Sequence, residues 1–176
     1  MHSLIASATT YEVPWLAWLG LGICLAVIFS AGFAAAVVDV KRRTLPNICV
    51  GIMFAAALVF QMIRAVYAGA FPNLPLPFAC MWGCILLMVA FFLFEMLLRK
   101  TADASGFGAG DIKFIGAWAL LMGPVYALVG GAIGALIGAI VSRVKKESTF
   151  AVGPWIFALS LVVFVLSASG ALSIAF

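Results

Sequence analysis

Residues 112–141 read IKFIGAWALLMGPVYALVGGAIGALIGAIV, an unbroken apolar run carrying one charge, Lys113. As a single α-helix it would extend ~45 Å, against a hydrocarbon core of ~30 Å. Gly123-Pro124 falls inside the run, and proline brings no N–H and a fixed φ, both of which favour a break. The stretch is therefore expected to form a hairpin of two helices, 112–122 and 125–141. Outward from it lie four more apolar runs, at about 15–38, 48–66, 77–98 and 151–172. Six helices result, and the expectation is an all-α integral membrane bundle forming one peptide-chain domain over 1–176. The helix 112–122 is short for a full span, so it is expected either to sit partly within protein or to start within a water-filled cavity.

The distribution of charge favours the same count. Lys41-Arg42-Arg43, Arg99-Lys100, Lys113 and Arg143 with Lys145-Lys146 separate the apolar runs. With six helices and both termini outside, all of these fall on the cytoplasmic side, and only Arg64 lies toward the outer end. A five-helix chain would put Arg143, Lys145 and Lys146 outside, against the bias of basic residues toward the cytoplasm.

Composition excludes the other broad classes. The 176 residues are 66% hydrophobic and 9% charged, with a mean hydropathy of +1.27. A soluble domain carries roughly 25% charged residues, and disorder needs low hydrophobicity with high net charge. The net charge of +4 does not indicate nucleic acid, because the basic residues lie in short clusters suited to anionic lipid headgroups. Cys24, Cys49, Cys80 and Cys84 all lie in apolar stretches without a CxxC pair, so they are expected to pack as small hydrophobes and not to bind zinc. Met1 to Glu12 has no basic region ahead of its apolar residues and does not resemble a cleaved signal peptide. Gly130, Gly134 and Gly138 recur every four residues and are expected to form a helix-packing seam.

Ionisable groups in or beside spanning segments are the candidates for chemistry. Of the six acids, Glu12 lies in the outer tail, Asp103 in a polar loop and Glu147 beside Lys145 and Lys146. Glu95 precedes Arg99 by four residues and is expected to form a helix-surface pair. Asp39 and Asp111 remain. Asp39 closes the first helix, where a carboxylate opposes the macrodipole. It either pairs with Lys41, Arg42 or Arg43 at headgroup level or serves chemistry. Asp111 follows Gly106-Phe107-Gly108-Ala109-Gly110 and is expected to be the N-cap of the fourth helix. The glycines also leave room for a second backbone, such as an extended peptide, to approach. The topology brings both acids to the cytoplasmic mouth, where two close carboxylates can share a proton as an aspartic dyad. The only histidine is His2, so a Ser or Cys triad lacks its base, and no ligand set for a metal is evident. Neither metal nor cofactor is expected.

These residues resemble the type IV prepilin peptidases, GxGD-type aspartyl proteases of the membrane. The first motif reads Asp39-Val-Lys-Arg-Arg-Thr-Leu-Pro46-Asn47, the second Gly108-Ala109-Gly110-Asp111-Ile112-Lys113, and a weaker third survives as Gly153-Pro154. The resemblance implies Asp39 and Asp111 as the catalytic pair, with Pro46, Asn47, Gly108, Gly110, Lys113, Gly153 and Pro154 around them. It implies a prepilin-like membrane substrate whose short basic leader is removed at the cytoplasmic face of a bacterial inner membrane. The chain lacks the paired CxxC insertion of the bifunctional members, so it resembles the short peptidase-only form of tight-adherence (Flp-type) pilus systems, without N-methyltransferase activity. The competing reading is a small transporter or channel with Asp39 and Asp111 as proton or cation sites, or an inactive pilus-assembly scaffold. Transport favours acids near the midplane on repeated halves, whereas these acids lie near one face and no repeat is visible.

Overall fold

The computed structural model describes residues 13–67, 73–102, 108–145 and 151–172. Expectations about His2, Glu12, Asp103, Lys146 and Glu147 fall outside these residues, as does the side chain of Arg99. Among the described residues the regular elements are six α-helices: α1 (Trp15–Arg42), α2 (Asn47–Val66), α3 (Pro77–Ala102), α4 (Ala109–Met122), α5 (Pro124–Lys145) and α6 (Gly153–Ala168). Over α1, α2, Pro77–Leu97 of α3 and Pro124–Val141 of α5 the helices are long and apolar enough to cross a membrane. Large apolar side chains such as Leu86 and Ile48 are well exposed, as expected of a surface that meets acyl chains. The chain is a multi-pass, all-α membrane protein.

Two boundaries differ from the sequence reading in ways that matter. Helix α1 continues past residue 38 to Arg42, and Arg43 closes it in the left-handed conformation with φ 55°. Its N–H donates to the Asp39 carbonyl at 2.8 Å, so Asp39 lies within the last turn and not after it. Helix α6 stops at Ala168 and does not run to 172. Gly170, at φ +78°, turns the chain there, and the Leu172 N–H returns to the Leu166 carbonyl at 3.0 Å.

Helix α4 occupies the centre. It packs against α2, α3, α5 and α6, and Ile112 and every residue from Phe114 to Met122 are buried. A helix sheathed by protein need not reach both membrane surfaces, because its ends can be satisfied by its neighbours. Trp118 stacks on Phe29 of α1 at 6.2 Å between ring centroids and meets Phe157 of α6 at 6.0 Å. Without a hydrophobic driving force between helices in lipid, such close packing is a main source of association.

The break at Gly123-Pro124 is made as expected, with Gly123 at φ +93° as the single linking residue. Pro124 has no N–H to offer the Leu120 carbonyl, which is left without its partner one turn on. Gln61 of α2 repairs the end. Its Nε2 donates to Leu120 O at 2.6 Å and Leu121 O at 2.9 Å. Arg64 in turn donates to Gln61 Oε1 at 2.9 Å and to the Leu74 and Pro75 carbonyls at 3.3 and 3.1 Å. The basic residue that stood apart in the charge count is therefore buried, and it ties the α2–α3 connection to the end of α4.

The glycine seam joins α5 to α6. A methyl on Gly130 would lie 2.9 Å from Ser160 Cα, and one on Gly134 2.8 Å from Ile156 Cα. Glu95 is 6% exposed, so it lies in the interior and not on the helix surface as expected, while its pairing with Arg99 lies outside the described residues. It continues the stripe of Cys84, Met88 and Phe91, spaced three or four residues apart along α3. That stripe faces α4, where Cys84 Sγ donates to Gly116 O at 3.2 Å. Cys24, Cys80 and Cys84 are buried free thiols and Cys49 is half-buried.

Replacing Gln61 by Leu keeps the approximate volume but strands the Leu120 and Leu121 carbonyls and removes an acceptor from Arg64. A buried group left unsatisfied costs about 1–3 kcal/mol. Gln61→Leu is expected to lower the midpoint of thermal inactivation in detergent clearly, while Met62→Leu, on the exposed face of the same helix, leaves it unchanged. Equal midpoints for the two variants would show that the repair contributes no stability.

Candidate active site

Asp39 reaches the interior because of its register. Leu21, Cys24, Ile28, Gly32, Ala35 and Asp39 are all buried along α1, at the three- and four-residue steps of one helix face. The carboxylate thus points into the bundle, 5% exposed, and not toward the headgroups. Its Oδ2 accepts the Gly153 N–H at 2.9 Å. Gly153 is the first residue of α6, so this donor is one of those that no helix can satisfy internally. The position that opposes the dipole of α1 is therefore favoured by the dipole of α6, which explains how an acid is kept at the end of the first helix.

Asp111 stands in the first turn of α4, ahead of the buried run. The N-cap is Gly108, with Asp111 three residues further on, which corrects the expectation that Asp111 itself is the cap. Glycine has no side chain with which to cap, so only the reciprocal half of a capping box forms. Asp111 Oδ2 accepts the Gly108 N–H at 3.1 Å. Burial pushes the Asp111 carboxyl up to about 6, opposed by that N–H and reinforced by the charge of Asp39. The Asp111 carboxyl thereby keeps its proton above the ordinary range for Asp.

Both acids line one cavity of about 350 Å³, with Arg43, Thr44, Leu45, Asn47, Gly108, Ala109, Gly110 and Lys113 completing its wall. The structure brings the two principal motifs together here through two contacts. Lys113 Nζ donates to Asn47 Oδ1 at 3.3 Å, linking the start of α4 to the start of α2. Pro46, at φ −71°, precedes α2 as its N-cap residue. Pro154 takes the second position of α6, where a missing N–H removes no helical bond.

The second contact belongs to Leu45, which the sequence marks only as the hydrophobic residue before Pro46. A methyl on Gly110 would lie 3.1 Å from Leu45 Cβ, and one on Gly153 3.1 Å from Leu45 Cδ2 and 2.9 Å from Asp39 Oδ2. The bareness of Gly110 is thus filled by the α1–α2 turn of the same chain, which differs from the expectation that it leaves room for a foreign backbone. Gly153 had been singled out by its place before Pro154, but its use as a backbone donor has no signal in a side-chain pattern.

Chemically, the two carboxylates line one small cavity, Asp39 accepting the Gly153 N–H and Asp111 the Gly108 N–H, and two acids that come close can share a proton. The arrangement suits general acid–base hydrolysis. Comparison with curated proteins and with solved structures returned no match. The model of the type IV leader peptidase family matches residues 26–143, a span that includes Asp39, Asp111 and the turn between α1 and α2, and ends ahead of Gly153. The match covers well over half the chain, and the protein belongs to the type IV leader peptidase family.

Proposed function

We propose that this protein is an aspartic endopeptidase that removes the short basic leader from prepilin-like membrane proteins at the cytoplasmic face of a bacterial inner membrane. The observation that carries the reading is the shared cavity of Asp39 and Asp111. In the resting pair one carboxyl holds a proton and the other is ionised. The ionised group takes a proton from water as the water oxygen attacks the carbonyl carbon of the scissile peptide. The protonated group hydrogen-bonds the carbonyl oxygen and stabilises the oxyanion that forms. Collapse of the tetrahedral intermediate breaks the C–N bond, and a carboxyl proton goes to the leaving amine. Peptide bond and water become a carboxylic acid and an amine, with no redox change and no demand for a metal or cofactor.

Asp39→Asn and Asp111→Asn are each expected to abolish leader removal from a co-expressed pilin-like substrate. Loss of proton transfer alone costs roughly 10²–10⁴-fold, and the double variant should be scarcely worse than either single one because the pair acts as a unit. A merely structural acid would behave differently, since Asn caps a helix about as well as Asp. Asp103→Asn, outside both motifs, should cleave normally. Wild-type cleavage by either motif variant would remove the dyad from the mechanism.

Gly153→Ala should reduce cleavage by at least about tenfold, because the added methyl meets Asp39 Oδ2 and displaces the carboxylate from its donor. Shortening Leu45 does not relieve that contact, so Gly153→Ala with Leu45→Ala should remain impaired. Full activity of Gly153→Ala, measured at equal enzyme content in the membrane, would show that this donor does not set the Asp39 geometry.

The cytoplasmic assignment rests on the clustering of basic residues at the ends of α1, α3 and α5 and on the inward bias of such clusters. A reporter inserted near Lys145 should behave as cytoplasmic and one fused after Phe176 as periplasmic. The reverse pattern would turn the site to the opposite face.

A further inference from the structure

A substrate whose scissile bond abuts a hydrophobic segment presents a difficulty that the cavity alone does not solve. The peptide must enter a polar, wetted site, while the apolar residues that follow must leave that site without crossing water. The wall of the cavity supplies Asp39, Arg43, Thr44, Asn47, Asp111 and Lys113 to the first part. The second requires an apolar channel that begins where those polar groups end.

Among the described residues, two grooves on the flanks of the bundle bear on this. The larger, about 530 Å³, runs between α1 and α2 past Ile23, Val27, Ser30 and Ile52, and shares no wall residue with the cavity. The other, about 290 Å³, lies between α3 and α4 and is lined by Met88, Val89, Phe92, Ala109, Ile112 and Lys113. Ala109 and Lys113 belong to its wall and to the wall of the cavity alike. Groove and cavity therefore adjoin through the first turn of α4, the turn that carries Asp111. Beyond Lys113 the groove offers only apolar side chains. Val89 and Phe92 are 50% and 56% exposed, so the groove lies open toward lipid along its α3 side.

We infer that the α3–α4 groove receives the apolar residues immediately following the scissile bond, so that the substrate leaves the dyad along α4 and enters the bilayer against Val89 and Phe92. The inference rests on the leader-peptidase reading above. The occupant is the substrate's own hydrophobic segment because the chemistry of the wall changes from polar to apolar in the same order as the chemistry of that substrate, and because the junction lies beside Asp111. A lipid chain would match the apolar end alone and would have no use for the continuity with the cavity. In this arrangement Val89 and Phe92 determine which side chains are accepted just after the cut.

The test uses full-length enzyme and a pilin-like substrate in membranes. Leader cleavage by the wild-type enzyme checks the underlying reading first, and its absence would remove the function and the groove assignment together. With cleavage present, a photoreactive residue is placed singly at Val89, Phe92, Ile23 or Ile52 in the Asp111→Asn background. Cross-links from 89 and 92 to the first apolar residues after the cleavage site are expected, with none from 23 and 52. Cross-links from 23 and 52 in their place, or from none of the four while the wild type cleaves, would overturn the groove assignment and leave the dyad standing. Capture of lipid alone at 89 and 92 would overturn it as well. As a second measurement, Val89→Trp, on the lipid-facing side and outside the catalytic cavity, should raise the half-saturating substrate level by about tenfold, the range expected for one apolar pocket contact. An unchanged half-saturating level counts against the groove.

Discussion

The carbonyls of Leu120 and Leu121 have to be satisfied inside the protein, and the rest of the architecture follows from how this is done. In hydrocarbon an unpaired carbonyl costs several kcal/mol, so a chain that breaks its helix at Gly123-Pro124 needs a donor brought from elsewhere. Gln61 supplies both N–H groups, and Arg64 holds Gln61. With its far end closed inside the protein, α4 can be short and central, buried at every residue from Phe114 to Met122. Its near end is then drawn to the depth at which α1, α2 and α6 end or begin, and Asp111 is set beside Asp39.

Much of the helical plan was legible because lipid imposes it: long apolar runs, clusters of basic residues and one Gly-Pro in a run too long for a single span. That Asp39 and Asp111 would line one cavity was legible because few other acids lay in or beside the spans. What escaped the sequence depended on direction and on backbone. Residue spacing shows that Glu95 and Arg99 are one turn apart, but not that Glu95 belongs to the α3 stripe turned toward α4. Helix α1 was ended too early because its apolar run stops at Val38, and the donor that holds the acid after it comes from α6, distant in sequence. The N-cap of α4 was displaced onto Asp111 because a glycine cap has no side chain to announce it.

The site is accordingly a product of helix ends as much as of side chains. Each acid takes a backbone N–H that a helix start leaves over, Asp39 from Gly153 and Asp111 from Gly108. The first bond spans 114 positions of sequence and the second only three. Asp111 therefore belongs to a local turn, while Asp39 depends on the docking of the last helix through the Gly130 and Gly134 seam. Packing between α5 and α6, remote from the cavity, is a condition for the Asp39 geometry.

Leu45 carries a consequence for how such chains can vary. One side chain fills the space that two glycines, Gly110 and Gly153, leave bare, and those glycines lie on different helices. The three positions thus divide a single volume among them. A lineage that enlarges position 110 must find room by shrinking position 45, and shrinking position 45 loosens the turn against α6 at the same time. Drift at any one of these sites is constrained by the other two, although in sequence they stand far apart and only one of the three bears a side chain beyond its α-carbon.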